Sequence, residues 1–383
     1  EIAAVADPRP ERLELAQREW NIPAERCFAT AEELFAQPQL ADAAVIATQD
    51  RQHVVHAEAA LKGGYHLLLE KPVAVDIEGC LEVLRLARRY QRHVVVCHVL
   101  RYTPFYNAIK RIIEDGRIGE VVTIQAMEQV GYWHQAHSYV RGNWRRADES
   151  SPMILAKCCH DMDILLWMTD SHCTKVSSFG SLGHFRVESA PEGAPEFCLD
   201  GCPHAESCPY DAERIYLRDK GVHVPVIRKV VSLENTDDSV REALRSGPYG
   251  RCVYHCDNDV VDHQVVNLEF ENGVTASFTM CAFPWEGSRT VKIMGALGQI
   301  TGDVEENEIQ VVSFATGNKT VYRLNTDAAG HSGGDAGFMR DVVRQMQTDG
   351  AYAGRTNIAQ SIESHLIALA AEESRVTGKT IWM

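Results

Sequence analysis

A lysine flanked by glutamate and proline, Glu70-Lys71-Pro72, follows directly on the apolar run Leu67-Leu68-Leu69. Charged groups at the end of such a run mark either a solvated exit or a crevice where chemistry happens. A lysine gives up its proton near neutral pH only when it is desolvated or crowded by other positive charge. A second set of candidates is Lys157, Cys158, Cys159, His160 and Asp163. Histidine titrates near the working pH without help, and Asp163, about one turn later, is placed to orient the imidazole. The competing reading of His160 is a hydrogen-bonded core histidine, and of Lys157 an ordinary exposed one. Adjacent cysteines on a helix point different ways, so Cys158 and Cys159 read as packing residues. Asp7 closes the first visible strand. In a dinucleotide-binding fold a carboxylate at such a strand end accepts from the adenosine ribose hydroxyls and repels a 2′-phosphate, which favours NAD over NADP. Its plainer alternative is a turn-forming Asp before Pro8.

Three other stretches carry binding chemistry. In "GYWHQAHSYVRGNWR", Trp133, Tyr139 and Trp144 suit stacking on sugar faces, and His134, His137, Arg141 and Arg145 suit hydrogen bonding to hydroxyls or an acidic group. A packed loop or an interface uses the same residue types. "HSGGDAGFM" offers His331 and Asp335 at a substrate rim, with glycines that let backbone approach closely, although Asp335 also suits the start of a helix. The cysteines Cys198, Cys202 and Cys208 are spaced C-x3-C-x5-C, and Cys252 and Cys256 follow. Four thiolates from two loops suit a tetrahedral structural zinc that staples an insertion without its own core, with an iron–sulfur cluster or free thiols as the other readings.

The elements that must hold these groups alternate over the first hundred residues. Apolar strands "IAAVAD", "AAVIAT", "HLLLEK" and "HVVVCHVL" are separated by helical patterns, one with Asp76 as its N-cap. Strands apolar on both faces imply a parallel sheet covered by helices, and such sheets bind ligands beyond the carboxyl ends of their strands. Glu70 and Lys71 stand at such an end. After about residue 120 the pattern changes to longer strands with polar alternation, "EVVTIQAMEQV", "DHQVVNLEF", "VTASFTMCAF" and "RTVKIMG", with turns at "NGVT" and "GALG". The expected fold is α/β: a Rossmann-type parallel-sheet domain over 1–120, then an α/β domain over 121–383 with a large open, mostly antiparallel sheet and a Cys-rich insertion at about 184–258. Two helices stand out in the second domain, "MILAKCCHDMDILLWM" and the terminal "NIAQSIESHLIALAAEESRVTG". The glycine fingerprint that precedes an acidic strand end by about twenty residues is absent from the sequence. The chain opens on a strand already under way, and an upstream segment carrying the first strand and glycine loop is expected.

The totals narrow the class. At 383 residues two domains are expected. A net charge of −15 argues against a nucleic-acid binder, because phosphates would be repelled. No apolar run approaches bilayer length and no signal-like segment opens the sequence, so a cytoplasmic protein without membrane contact is expected. Twelve cysteines are many for that setting, which disfavours stable disulfides.

Together "VADPRPERL", "VIATQDRQHVVHAEAALKGGYHLLLEKPVA", "RYTPFYNAIKRIIEDGRIGEV" and "CCHDMDILLWM" resemble the Gfo/Idh/MocA oxidoreductases, named for glucose-fructose oxidoreductase and inositol dehydrogenase. The resemblance covers nearly the whole chain. It implies that Lys71 lies near both nicotinamide and substrate hydroxyl, with Glu70 and Pro72 as its motif neighbours. It implies that Ala47, Thr48 and His53 form the loop under the nicotinamide side, that Arg101 is a loop arginine near the cofactor, and that His160 faces the site. Many members carry Asp four residues before that histidine; here Ala156 stands there and Lys157 lies three before, on the same helical face. The expected catalytic set is therefore Lys71, His160 and Lys157.

The leading expectation is an NAD-dependent oxidoreductase acting on a sugar, sugar derivative or cyclitol, assembled as a homodimer or homotetramer through the open sheet. One alternative is an NAD-dependent glycosidase that oxidises transiently, eliminates and reduces again. Another is a non-catalytic sugar sensor.

Overall fold

A computed structural model describes residues 1–324, 333–348 and 352–383. The chain forms two compact units: residues 1–104 with the described part of 327–366, and residues 105–326 with 367–383. Along the first unit run β1 (Val5–Ala6), α1 (Pro10–Trp20), β2 (Cys27–Phe28), α2 (Ala31–Phe35), β3 (Ala43–Ile46), α3 (His53–Lys62), β4 (His66–Leu69), α4 (Ile77–Tyr90) and β5 (Val94–Val96). The elements α5 (Pro104–Glu114), β6 (Val121–Gln129), α6 (Tyr132–His134), α7 (Met153–Ala156), α8 (Cys159–Thr169), β7 (Cys173–Ser181), α9 (Val224–Val231) and α10 (Asp237–Ser246) come next. They are followed by β8 (His263–Phe270), β9 (Thr275–Cys281), β10 (Ser288–Gly295), β11 (Gly298–Asp303), β12 (Glu308–Ser313), β13 (Lys319–Arg323), α11 (Gly334–Gln347), α12 (Ile358–Thr377) and β14 (Ile381–Trp382).

In the first unit β1 pairs with β2, and β3, β4 and β5 lie in that order; every pair is parallel. The three leucines of β4 serve both faces. Leu67 and Leu69 enter a cluster with Ile46, Val83 and Leu86, while Leu68 joins Val95, Tyr102, Phe338 and Val342 on the other side. Each fully buried leucine contributes about 1.5–3 kcal/mol, so this short strand is pinned from two directions. Helix α4 starts where expected: the Asp76 carboxylate accepts from the Gly79 amide at 2.7 Å. The terminal helix divides its loyalty. Ile358, Ile362 and Leu366 pack into the first unit's core, and the backbone just before it pairs with β5, the Val96 amide donating to Thr356 O at 2.8 Å. Residues 367–377 of the same helix belong to the second unit.

The second unit is built on a nine-stranded sheet in the order β13-β12-β11-β10-β6-β9-β8-β7-β14. Only β6–β9 is parallel; the other neighbours are antiparallel. The period of two sorts the faces. Val266, Leu268, Phe278, Met280, Ile293 and Ile300 are buried on one, and Gln125, Lys175, Ser277 and Lys292 line shallow concavities on the other. The sequence predicts one continuous helix over 153–168, and the structure differs: α7 stops at Ala156, Cys158 leaves helical geometry at φ −97° and ψ 5°, and α8 begins at Cys159. Helical spacing between Lys157 and His160 therefore does not hold. The Cys-rich insertion was expected to lack a core. It has one: Phe185, Tyr210, Ile215, Tyr216, Ile227, Val240 and Leu244 pack with Tyr132 and Val140.

Candidate functional site

Parallel strands bring their carboxyl ends to one edge, and the first unit places its motif there. Ala47 and Thr48 follow β3, Glu70, Lys71 and Pro72 follow β4, and Cys97 follows β5. The ladder continues one residue past the strands, with Glu70 N donating to Ile46 O at 2.9 Å and Cys97 N to Leu69 O at 3.0 Å. The Lys71–Pro72 peptide is cis. Two histidines hold the segment behind Lys71. His53, only 1% exposed at the start of α3, turns Nδ1 to Pro72 O at 2.6 Å and Nε2 to Thr48 O at 3.0 Å. His365, fully buried on α12, accepts from the Val73 amide through Nε2 at 3.0 Å and donates through Nδ1 to Ser361 O at 2.9 Å. Thr48 Oγ1 lies 3.0 Å from His56 Nδ1. Replacing His53 with alanine removes the ring that spans Pro72 O and Thr48 O and is expected to cost about 1–3 kcal/mol, read by urea denaturation; an unchanged midpoint would deny the clamp.

Lys71 is half-buried beside a charged neighbourhood. The Cys97 thiol is pushed well above its ordinary range, first by burial and then by the Glu70 carboxylate; Lys71 opposes the shift and Asp335 adds to it. The charges of Glu70, Lys71 and Asp335 are thus all felt by one thiol. Asp335 stands in the first turn of α11, whose N-cap is Gly333. Arg101, 8% exposed, donates to Arg355 O at 3.3 Å. Asp7 uses Oδ1 to accept from the amide and Nε of Arg9, at 2.9 and 3.3 Å. His331 lies outside the described residues.

In the second unit His160 and Asp163 are buried in α8, and Ala156 is buried at the end of α7. Lys157, the residue at the break, reaches Glu128 Oε1 on β6 at 3.4 Å. Arg289 of β10 lies 2.6 Å from Glu128 Oε2 and 2.8 Å from Asp161 Oδ1. Two cations and two carboxylates alternate in a buried chain. Burial pushes the Glu128 carboxyl up, against the pull of Arg289 and Lys157. Burial works against the Arg289 charge, and Asp161 and Glu128 more than offset it, holding the guanidinium well above its usual range. The sequence reading named neither Glu128, Asp161 nor Arg289. A glutamate alternating on an otherwise half-apolar strand was the one signal available.

The aromatic loop sits in and beside the insertion. Trp133 stacks on His223 with 3.7 Å between centroids and on His134 at 5.3 Å. His137 is buried, lies 2.9 Å from the Tyr216 hydroxyl and stacks on Tyr249; burial, aided by Arg141, pushes it down to about 4. It behaves as a neutral core histidine. Arg145 pairs with Asp257 and Glu149, and the Asp257 carboxyl is held down at about 2, chiefly by the Arg145 hydrogen bond. Trp144 packs near Tyr139. These contacts tie the loop to the insertion and leave Trp133, His134 and Trp144 partly exposed.

The cysteines separate into two groups. Cys198, Cys202, Cys208 and Cys252 line one small cavity with Tyr210 and Tyr254, whereas Cys256 turns its thiol to Cys252 O at 3.3 Å. All twelve cysteines are free of disulfides. Among the described residues no three ligating side chains already converge at coordination distance on one point.

Comparison with known proteins agrees with this architecture. A family profile described as "Oxidoreductase family, NAD-binding Rossmann fold" matches residues 1–98, and one described as "Oxidoreductase family, C-terminal alpha/beta domain" matches 110–381. The Bacillus subtilis (strain 168) oxidoreductase-type protein YteT is 25% identical over 79% of this chain and 72% of its own. Inositol 2-dehydrogenase of Corynebacterium glutamicum (strain R) is 26% identical over 46% of this chain, a match that spans 48% of that enzyme. Among solved structures, an Agrobacterium radiobacter oxidoreductase in complex with NAD+, L-tartaric acid and magnesium superposes with a TM-score of 0.70 at 16% identity, covering 100% of this chain and 90% of that one.

Proposed function

From the premise that this chain belongs to the Gfo/Idh/MocA family of NAD-binding oxidoreductases, we propose that it transfers a hydride between NAD and a hydroxyl-bearing carbon of a sugar, sugar derivative or cyclitol. The observation that carries the reading is Lys71 at the carboxyl end of β4, backed by His53 and His365 and neighboured by Glu70 and Asp335. NAD when bound accepts or returns the hydride. The chain's part is to hold the alcohol, take its proton and return it. Lys71 is assigned to the substrate hydroxyl, with Ala47, Thr48, Pro72 and Arg101 lining the cofactor side. His160 is assigned the proton transfer, oriented by Asp163. Lys157, with its charge matched by Glu128, is assigned to fixing the turn before His160 and not to carrying the proton. The named inositol dehydrogenase relative supports a polyol substrate.

Cofactor choice rests on Asp7. Its bonds to Arg9 engage Oδ1, which leaves the second oxygen for ribose hydroxyls. Replacing Asp7 with alanine, with Arg9 retained, is expected to shift the ratio of kcat/KM values toward NADP by about tenfold, the worth of ~1.4 kcal/mol. Parallel assays with both cofactors read it, and an unchanged ratio would remove Asp7 from the adenosine site.

The open sheet face supports a homo-oligomer, since Phe179, Val265 and Trp382 are exposed hydrophobic residues on it. The deciding experiment screens sugars and glycosides with NAD, following the reduced-cofactor band and sugar release together. Net NADH accumulation is the expected result. Sugar release without it would favour the NAD-dependent glycosidase, and binding without either would leave a sensor.

A further inference from the structure

We propose that Cys198, Cys202, Cys208 and Cys252 form a zinc site that staples the insertion, with buried Arg141 as the counter-cation of the tetrathiolate. Two independent observations carry it. The first is convergence. Three cysteines of one loop and a fourth from a segment 44 residues beyond Cys208 line the same cavity, whose open volume of about 20 Å³ admits roughly one water-sized sphere. The other wall residues are Pro191, Ala194, Pro195, Tyr210 and Val253, with His204, Asp211 and Tyr254. The alternative ligands are engaged elsewhere: His204 Nε2 faces Glu192 O at 2.9 Å, Asp211 pairs with Arg218 at 2.7 Å, and the Cys256 thiol points to Cys252 O. Four sulfurs remain.

The second observation is a charge without an anion. Arg141 is 1% exposed. Its Nε donates to Arg251 O and one terminal nitrogen to Tyr210 O, each at 2.7 Å, and that same nitrogen lies 3.6 Å from Cys198 Sγ. The other terminal nitrogen is buried without a hydrogen-bond partner. None of the ion pairs among the described residues includes Arg141. A fully buried guanidinium matched only by neutral groups is costly to take out of water. Four thiolates around a divalent ion bear a net charge of minus two and lie against this cation, so the ion and the arginine stabilise each other. A soft, all-sulfur set of four suits tetrahedral zinc. The sulfurs do not yet meet at bonding distance of a common point. Closure needs side-chain rotation and a small movement of the loop, which carries Gly201 at φ 79° with open space around it.

The test is metal content, read without turnover, so it stands apart from the proposed oxidoreductase activity. The full chain, purified under reducing conditions or stripped and reloaded with zinc alone, is expected to hold about one zinc per chain. Titration with a mercurial should release that zinc into a chromogenic chelator as about four thiols react. Cys202→Ser and Cys252→Ser should lose the ion, Cys256→Ser should keep it, and Arg141→Met should weaken zinc affinity by about ten- to a hundredfold. Should the cysteine variants fail to fold, the mercurial release from the unaltered chain still decides. A folded chain that neither carries nor takes up zinc, or iron found in its place, overturns the proposal, as does loss of zinc from Cys256→Ser alone.

Discussion

Replacing Lys71 with alanine is expected to lower kcat by about 10³-fold, within the usual range for losing a positioned donor to the reacting oxygen, while the affinity for NADH stays within about threefold. The reason lies in where the amine is held. The backbone on either side of Lys71 is fixed by other groups: Glu70 N by Ile46 O, Pro72 O by His53 and Val73 N by His365. Truncating the side chain therefore leaves the cofactor-side loop standing and removes only the cation. Lys71→Arg sharpens the test. Arginine keeps the charge but does not give up its proton in the working range. If the amine serves only as a point charge, arginine should restore much of the rate; if it handles a proton, arginine should stay as poor as alanine. Fluorescence titration with NADH and steady-state assays on the best substrate of the screen separate these outcomes. An alanine variant within tenfold of the parent would remove Lys71 from the chemistry.

The second large effect is on stability. Arg289→Met should cost about 3–5 kcal/mol near neutral pH, the usual penalty for leaving buried charge unpaired. Arg289 is the cation shared by Glu128 and Asp161, and their side chains are 3% and 6% exposed. Lys157 alone would then face two carboxylates. The loss should depend on pH with a definite sign. Burial already raises the Glu128 carboxyl in the folded chain, and removing Arg289 raises it further. A carboxyl raised on folding binds its proton more tightly in the folded state. Its penalty is absent below the unfolded value and grows as pH rises through the window between the unfolded and folded values. The variant should therefore lie closest to the parent at about pH 5 and fall furthest behind at about pH 7.5. Urea denaturation at the two pH values measures this. Equal losses at both would deny Glu128 as the source of the pH dependence, and a loss under about 1 kcal/mol would show that the chain of charges does not support the fold. A loss of activity in Lys157 variants would have to be separated from this effect, since Lys157 belongs to the same network.

The Rossmann-type architecture was legible because its signal is local. Leu67, Leu68 and Leu69 are apolar at consecutive positions, so the strand has two covered faces, and two covered faces imply parallel neighbours with helices between. Asp76 caps its helix because a carboxylate three residues before an amide is a short-range geometry. The alternation in "DHQVVNLEF" likewise displayed a sheet with one packed face, as β8 has. The break between Lys157 and Cys158 was hidden, because the run from Met153 to Met168 is apolar enough to read as one helix; contacts with β6 and β10, not the local pattern, hold Lys157 and Asp161 in place.

What the sequence determined by itself was the order of the strands' character, the Glu-Lys-Pro stretch at the end of one of them, and the presence of thiols in number. Tertiary structure alone decided their partners. His365 supports Val73 from 292 residues away, Arg289 joins Asp161 across 128, and Arg141 meets the thiol of Cys198 across 57. Periodicity reports which face of an element avoids water. It carries no record of which distant polar group will arrive to satisfy a buried charge or carbonyl, because that depends on the path of the whole chain.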